Sequence, residues 1–202
     1  MKDCKIKEPK QARSIEKKNR IIETGFRLFC EKGFYHTNTA EIAEAAGMST
    51  GILYRYFPNK KAILTEAVQR FSQTILDNTL KELTAISSLS DLEHYLDPLI
   101  DSFVDMHIRF ARAHQEMEAM SGADPDIAMI LIRFEADLTD HFSDAFQAMD
   151  NGIAYPREKI HLIFHMIEDY CHEVAFHHHE HLDYTVMKRL LLESIRSLIR
   201  LS

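Results

Sequence analysis

The chain has no apolar run long enough to cross a bilayer, no paired or CxxC cysteines, and no internal repeat. Each absence removes a class of protein. A membrane helix needs roughly 18 uninterrupted apolar residues, so no membrane partner is expected. The first 20 residues are lysine-rich and lack the apolar segment of a signal peptide, which makes the cytoplasm the expected location. Cys4, Cys30 and Cys171 are odd in number and unpaired in spacing, so they read as reduced thiols, with Cys30 and Cys171 on helix faces. What is present is a chain of 202 residues and 46% hydrophobic content, enough to bury a substantial core in one or two domains.

Charge is divided unevenly along it. Residues 1–60 hold 12 Lys and Arg against 7 Asp and Glu, a net of +5, whereas residues 61–202 hold 12 against 24, a net of −12. Phosphate binding follows local rather than total charge. The expectation is a DNA-binding domain over residues 1–58 on an acidic body over residues 59–202.

Residues 1–12 are polar, lysine-rich and without periodicity, an arm able to follow phosphates or simply a solvated tail. From Ser14 to Lys32, Ile21, Ile22, Gly25, Phe26, Leu28 and Phe29 fall at helical spacing, and Gly33 is a natural stop. Thr37, Asn38 and Thr39 offer oxygens to cap the next helix. Its small inner face, Ala40, Ile42, Ala43 and Ala46, is interrupted at Gly47, the expected left-handed residue after the helix end. Ser49 can then cap a second helix ended by Pro58, and Asn59 a further one beginning at Lys60 and Lys61. Two lysines in a first turn face the positive end of the helix dipole, and a DNA phosphate would relieve them. Small residues on both helices and a glycine turn predict a helix-turn-helix, whose second helix lies in the major groove.

The run TAEIAEAAGMSTGILYRYFPNK from Thr39 to Lys60, preceded by Gly33-Phe34 and followed by Ala62-Ile63-Leu64, resembles the DNA-binding signature of the TetR family of bacterial transcriptional regulators. The resemblance implies an all-helical homodimer, usually a repressor, whose larger C-terminal domain binds a small-molecule inducer and whose last two helices pair with the partner's. It implies that Thr39 donates to a phosphate, that Thr50 and Gly51 lie against base edges, that Tyr54 and Tyr56 contact backbone or bases, and that Lys60 holds a phosphate. Ser49 and Arg55 complete the candidate double-stranded DNA surface. The residue chemistry agrees: the Thr50 methyl and bare Gly51 backbone allow close approach to thymine methyls. Ile52, Leu53 and Phe57 are spaced to face the scaffold.

Every later segment reads as helix, for about nine in an all-α fold. Expected boundaries are Lys60 to Ala85; a fifth helix capped by Ser90 and Glu93, running past Pro98 to Arg112 or Met120; a helix from Pro125 to Met149; an eighth opened by Pro156; and a ninth capped by Asp183. In the eighth, Ile160, Ile163, Ile167, Tyr170, Cys171 and Val174 form an apolar band, as do Val186, Met187, Leu190, Leu191, Ile195, Leu198 and Ile199 in the ninth. Two such bands at a chain terminus predict a four-helix dimer interface. Phe103, His107, Phe110, Met117, Phe134 and Leu138 are candidates to line an inducer pocket, although the same residues at helical spacing also describe ordinary core.

Twelve histidines need a separate reading. His161, His165, Glu168 and His172 fall within a roughly 60° arc of the eighth helix. They are metal-ligand types on one face, but a solvated face opposite the apolar band explains them too, and metal binding needs a donor from a second element. No cofactor or metal is therefore expected. A helical-bundle oxidase using carboxylate and histidine ligands is the rival reading, suggested by Glu158-x-x-His161 and Asp169-x-x-His172. It requires Glu-x-x-His from two helices, and no second one occurs. A ligand-independent DNA-binding factor is the third.

Overall fold

Apolar residues recurring every three to four positions make helix the only arrangement that hides them together, and the computed structural model consists of helices joined by short turns. It describes residues 12–83, 86, 88–149 and 153–200; the basic arm and the Asp150-Asn151-Gly152 stop lie outside them. The helices are α1 (Ala12–Lys32), α2 (Thr39–Ala45), α3 (Thr50–Leu53), α4 (Lys60–Leu83), α5 (Leu89–Arg109), α6 (Ala111–Ser121), α7 (Pro125–Met149), α8 (Pro156–Phe176) and α9 (Tyr184–Arg200), with no strand among the described residues. None of these helices is long and apolar enough to cross a membrane.

Packing divides the chain into two units, one of residues 1–73 and 112–130 and the other of 74–111 and 131–202. Residue 58, the expected domain boundary, falls inside the first. That head unit packs α1 to α3, the start of α4, α6 and the start of α7 around Ile21, Phe29, Ile42, Leu53, Phe57 and Ile63. α1 and α4 meet closely at Gly25, where a Cβ would come within 2.6 Å of Ile63 Cγ2. α6 belongs here because Phe110 leaves helical geometry (φ −109°, ψ 19°) and ends α5, so the fifth helix does not run on to Met120. Within the unit Glu116 accepts from the Phe34 backbone N–H, and Arg112 donates to the Glu31 carbonyl at 2.9 Å. Met117, expected in a ligand pocket, packs against this core instead.

The body unit is organised on α5, α8 and α9. Its N-cap on α5 is Ser88, whose Oγ accepts from Asp91 N at 3.1 Å, two residues earlier than the expected Ser90 box. Pro98 lies within α5 without ending it. Asp183 caps α9 as its position predicts, accepting from Thr185 N and Val186 N at 2.9 and 3.1 Å. The apolar bands mostly face inward: Ile160, Ile163, Ile167, Cys171, Leu191, Ile195 and Ile199 are buried in this unit's own core. Their apolar character therefore follows from the fold of one chain. Leu162, Val186 and Leu190 are what these helices leave exposed.

Candidate nucleic-acid interface

The turn between α2 and α3 is set by backbone hydrogen bonding. Asn38 caps α2, its Oδ1 accepting from Glu41 N at 3.0 Å. At the other end Gly47 N donates to Glu44 O and Met48 N to Ala43 O, both at 2.9 Å, which is the Schellman closure. It requires a left-handed residue, and Gly47 has φ +69°. Ala43 and Ala46 are almost fully buried, so the two helices approach closely. Ser49 occupies the N-cap of α3, but its hydroxyl makes no cap bond; its carbonyl accepts from Ile52 N and Leu53 N. The expected side-chain cap is thus replaced by an exposed hydroxyl.

α3 is one turn long, followed by tighter turns through Phe57, where Tyr56 N and Phe57 N both donate to Leu53 O. Leu53 and Phe57 are buried and hold it to the scaffold. Ser49, Gly51, Tyr54 and Arg55 are exposed, and Thr39 and Thr50 are half-buried. Thr39 Oγ1 and Tyr54 Oη lie 2.9 Å apart, joining the start of α2 to the C-cap of α3 in one hydroxyl-bearing surface. At Gly51 a Cβ would meet nothing within 4 Å. No contact among the described residues calls for glycine there.

Two other candidates are drawn into the scaffold. Tyr56 Oη is 2.9 Å from Ser14 Oγ on α1, and the ring packs against the head core. Lys60 Nζ donates to Phe34 O at 2.7 Å and Thr37 O at 2.9 Å and lies 4.3 Å from the Phe34 ring centroid. Lys61 is held by Asp124 at 2.6 Å and Asp126 at 2.9 Å, bonds that raise the lysine above its usual pKa and lower Asp124. The lysines expected to need a phosphate are relieved within the chain. On α1, Arg20 pairs with Glu16 and Arg27 with Glu31, exposed pairs worth at most about 1 kcal/mol.

The candidate pocket residues in the body separate. Leu138 and Phe103 line a small, almost wholly apolar cavity of about 50 Å³, together with Leu96, Ile163, Ile167 and Ile195. Phe103 also lines a wider groove of about 560 Å³ with Phe110, Asn78, Thr79 and Arg109. Phe134 is half-buried and lines neither. α8 and α9 contribute to the cavity with residues whose helical periodicity fits a dimer face equally well. On α8, His161 and His165 are exposed with ring centroids 4.5 Å apart. Glu168 and His172 are half-buried and approach His107 of α5, so the four-residue arc does not act as one set.

A Schellman turn between two close helices, with exposed hydroxyls and Arg55 over a buried apolar base, defines a helix-turn-helix DNA-binding regulator. Residues 21–67 match the family model for bacterial regulatory proteins of the tetR family. The HTH-type transcriptional regulator YerO of Bacillus subtilis is 46% identical over 56 residues, 28% of this chain and 19% of YerO. The nucleoid occlusion factor SlmA of Haemophilus ducreyi is 35% identical over 71 residues, 35% of either chain. The matches thus span about a third or less of these curated relatives. The crystal structure of a proposed TetR-family transcriptional regulator from Mesorhizobium loti superposes with a TM-score of 0.78 at 20% identity, covering 93% of this chain and 97% of that one. Residues 21–67 thus carry a DNA-binding region of the tetR type, and the chain shares its overall fold with a TetR-family regulator.

Proposed function

We propose that the protein is a repressor that binds a palindromic operator as a homodimer and is released by a small molecule held in its helical body. The observation that carries the DNA surface is Gly51, a glycine with open space around it beside exposed Ser49, Tyr54 and Arg55. Such a position serves a surface that approaches from outside, as base edges do. Exposed Leu162, Val186 and Leu190 on α8 and α9 support dimerisation through the last two helices. Two-fold symmetry would set two reading helices about 34–36 Å apart, one DNA turn. The 560 Å³ groove has the size of a ligand site, whereas the 50 Å³ cavity must open to admit one. Action on the chromosome puts the protein in the cytoplasm.

Gly51→Leu separates this reading from a structural role. Removing a helical glycine should leave the fold as stable or raise stability by up to about 1 kcal/mol, while operator affinity measured by fluorescence anisotropy falls at least tenfold. Unchanged affinity would remove Gly51 from the interface. A ligand-independent DNA-binding factor is the second reading, supported by the small volume of the apolar cavity. Native mass spectrometry of the purified protein decides between them: a co-purified small molecule that weakens DNA binding favours the repressor.

A further inference from the structure

We infer that His107, Glu168 and His172 form a binding site for a divalent transition metal inside the body unit. The two ends of the site come from different helices: His107 from α5, Glu168 and His172 one turn apart on α8. A nitrogen from each ring and a Glu168 oxygen all lie within 4.8 Å of one another. His107 Nε2 is 3.3 Å from Glu168 Oε2, and His172 Nε2 is 3.5 Å from the same oxygen. Zinc bound at about 2.0–2.1 Å in tetrahedral geometry separates its ligand atoms by about 3.3–3.4 Å, so both observed edges already fit one cation.

The hydrogen bonding of His107 points the same way. Its Nδ1 lies 2.8 Å from the Phe103 carbonyl oxygen, which can only accept, so Nδ1 carries the hydrogen. In the neutral ring Nε2 then presents a lone pair towards a carboxylate oxygen, an arrangement that needs a positive charge between them. Metal-bound histidines are oriented by such a bond from the other ring nitrogen to a carbonyl. His107 is only 2% exposed, with the His172 and Phe176 rings 5.4 and 6.2 Å away, so its ring is held in place. Two imidazoles, one carboxylate and no sulfur suit zinc, cobalt(II) or nickel(II) rather than calcium or magnesium. The inference is independent of the DNA surface.

The test uses the full chain without an affinity tag, stripped with chelator, in a background where exposed His177, His178, His179 and His181 are alanine so that surface histidines do not bind the probe. Calorimetric titration with zinc should give one ion per chain. His107→Gln, Glu168→Gln and His172→Ala should each weaken binding at least tenfold with helicity unchanged in the metal-free state, whereas His161→Ala/His165→Ala should leave it intact. Cobalt(II) should give visible bands that His107→Gln abolishes. Absence of binding in the background chain, as expected if His107 is simply an imidazolium paired with Glu168, overturns the inference. So does binding that survives His107→Gln together with His172→Ala.

Discussion

In the head unit Ser49, Tyr54 and Arg55 reach solvent while the amines of Lys60 and Lys61 are bound to the chain; in the body unit His107, Glu168 and His172 turn towards one another below the surface. The head binds the Lys60 and Lys61 amines within its own scaffold and leaves hydroxyls and Arg55 outward beside a one-turn helix. A helix of four residues has too few internal bonds to stand alone. The body, with helices of 17 to 25 residues, needs no such bracing. Exposure of a charged residue near a helix-turn-helix is therefore a better guide to function than its charge.

Leu53→Ala should disturb the contrast most. Leu53 is fully buried beneath the reading face, and a Leu→Ala truncation in a core costs about 2–5 kcal/mol. Denaturation followed by circular dichroism should show the head melting early with DNA binding lost; a cost below about 1 kcal/mol would remove Leu53 from the core. Lys60→Met sharpens the division between scaffold and interface. Losing charged bonds to Phe34 O and Thr37 O should destabilise the head by about 1–3 kcal/mol. A fall in DNA affinity with unaltered melting would instead return Lys60 to the phosphate role that the resemblance implies. The smallest effect concerns Cys30, whose thiol burial, helped by Glu31, pushes up to about 11 from 9.0. The folded chain keeps this proton after the unfolded chain has lost it, so stability should decline as pH rises from about 9 to about 11. Cys30→Ala should flatten that decline, and an identical pH profile would contradict the shift.

The helix-turn-helix was legible because its information is contiguous. Gly47 announces the left-handed turn, Pro58 the end, and Asp124-Pro125 and Asp183 the later helix starts, all local preferences that survive any packing. Ser88 in place of Ser90 shows the limit, since two serines near one helix start offer the same oxygen and neighbouring contacts choose between them. The intrachain bonds of Tyr56 and Lys60 are hidden from the sequence for a related reason. Their chemistry suits DNA, but their partners Ser14, Phe34 and Thr37 lie 23 to 42 residues away, and distance along the chain hides such bonds.

By itself, then, the order of residues determined that the chain is helical, where most helices begin and end, and that Thr39 to Lys60 carries a helix-turn-helix of the tetR type. Capping, helical period and turn chemistry act over four or five residues, so they are written locally. Only the tertiary structure decided which apolar band is core, that Met117 belongs to the head, and that His172 meets His107 rather than His161. Those outcomes depend on which helix faces come together, and one face offers the same pattern of side chains whether it meets its own chain, a partner or solvent.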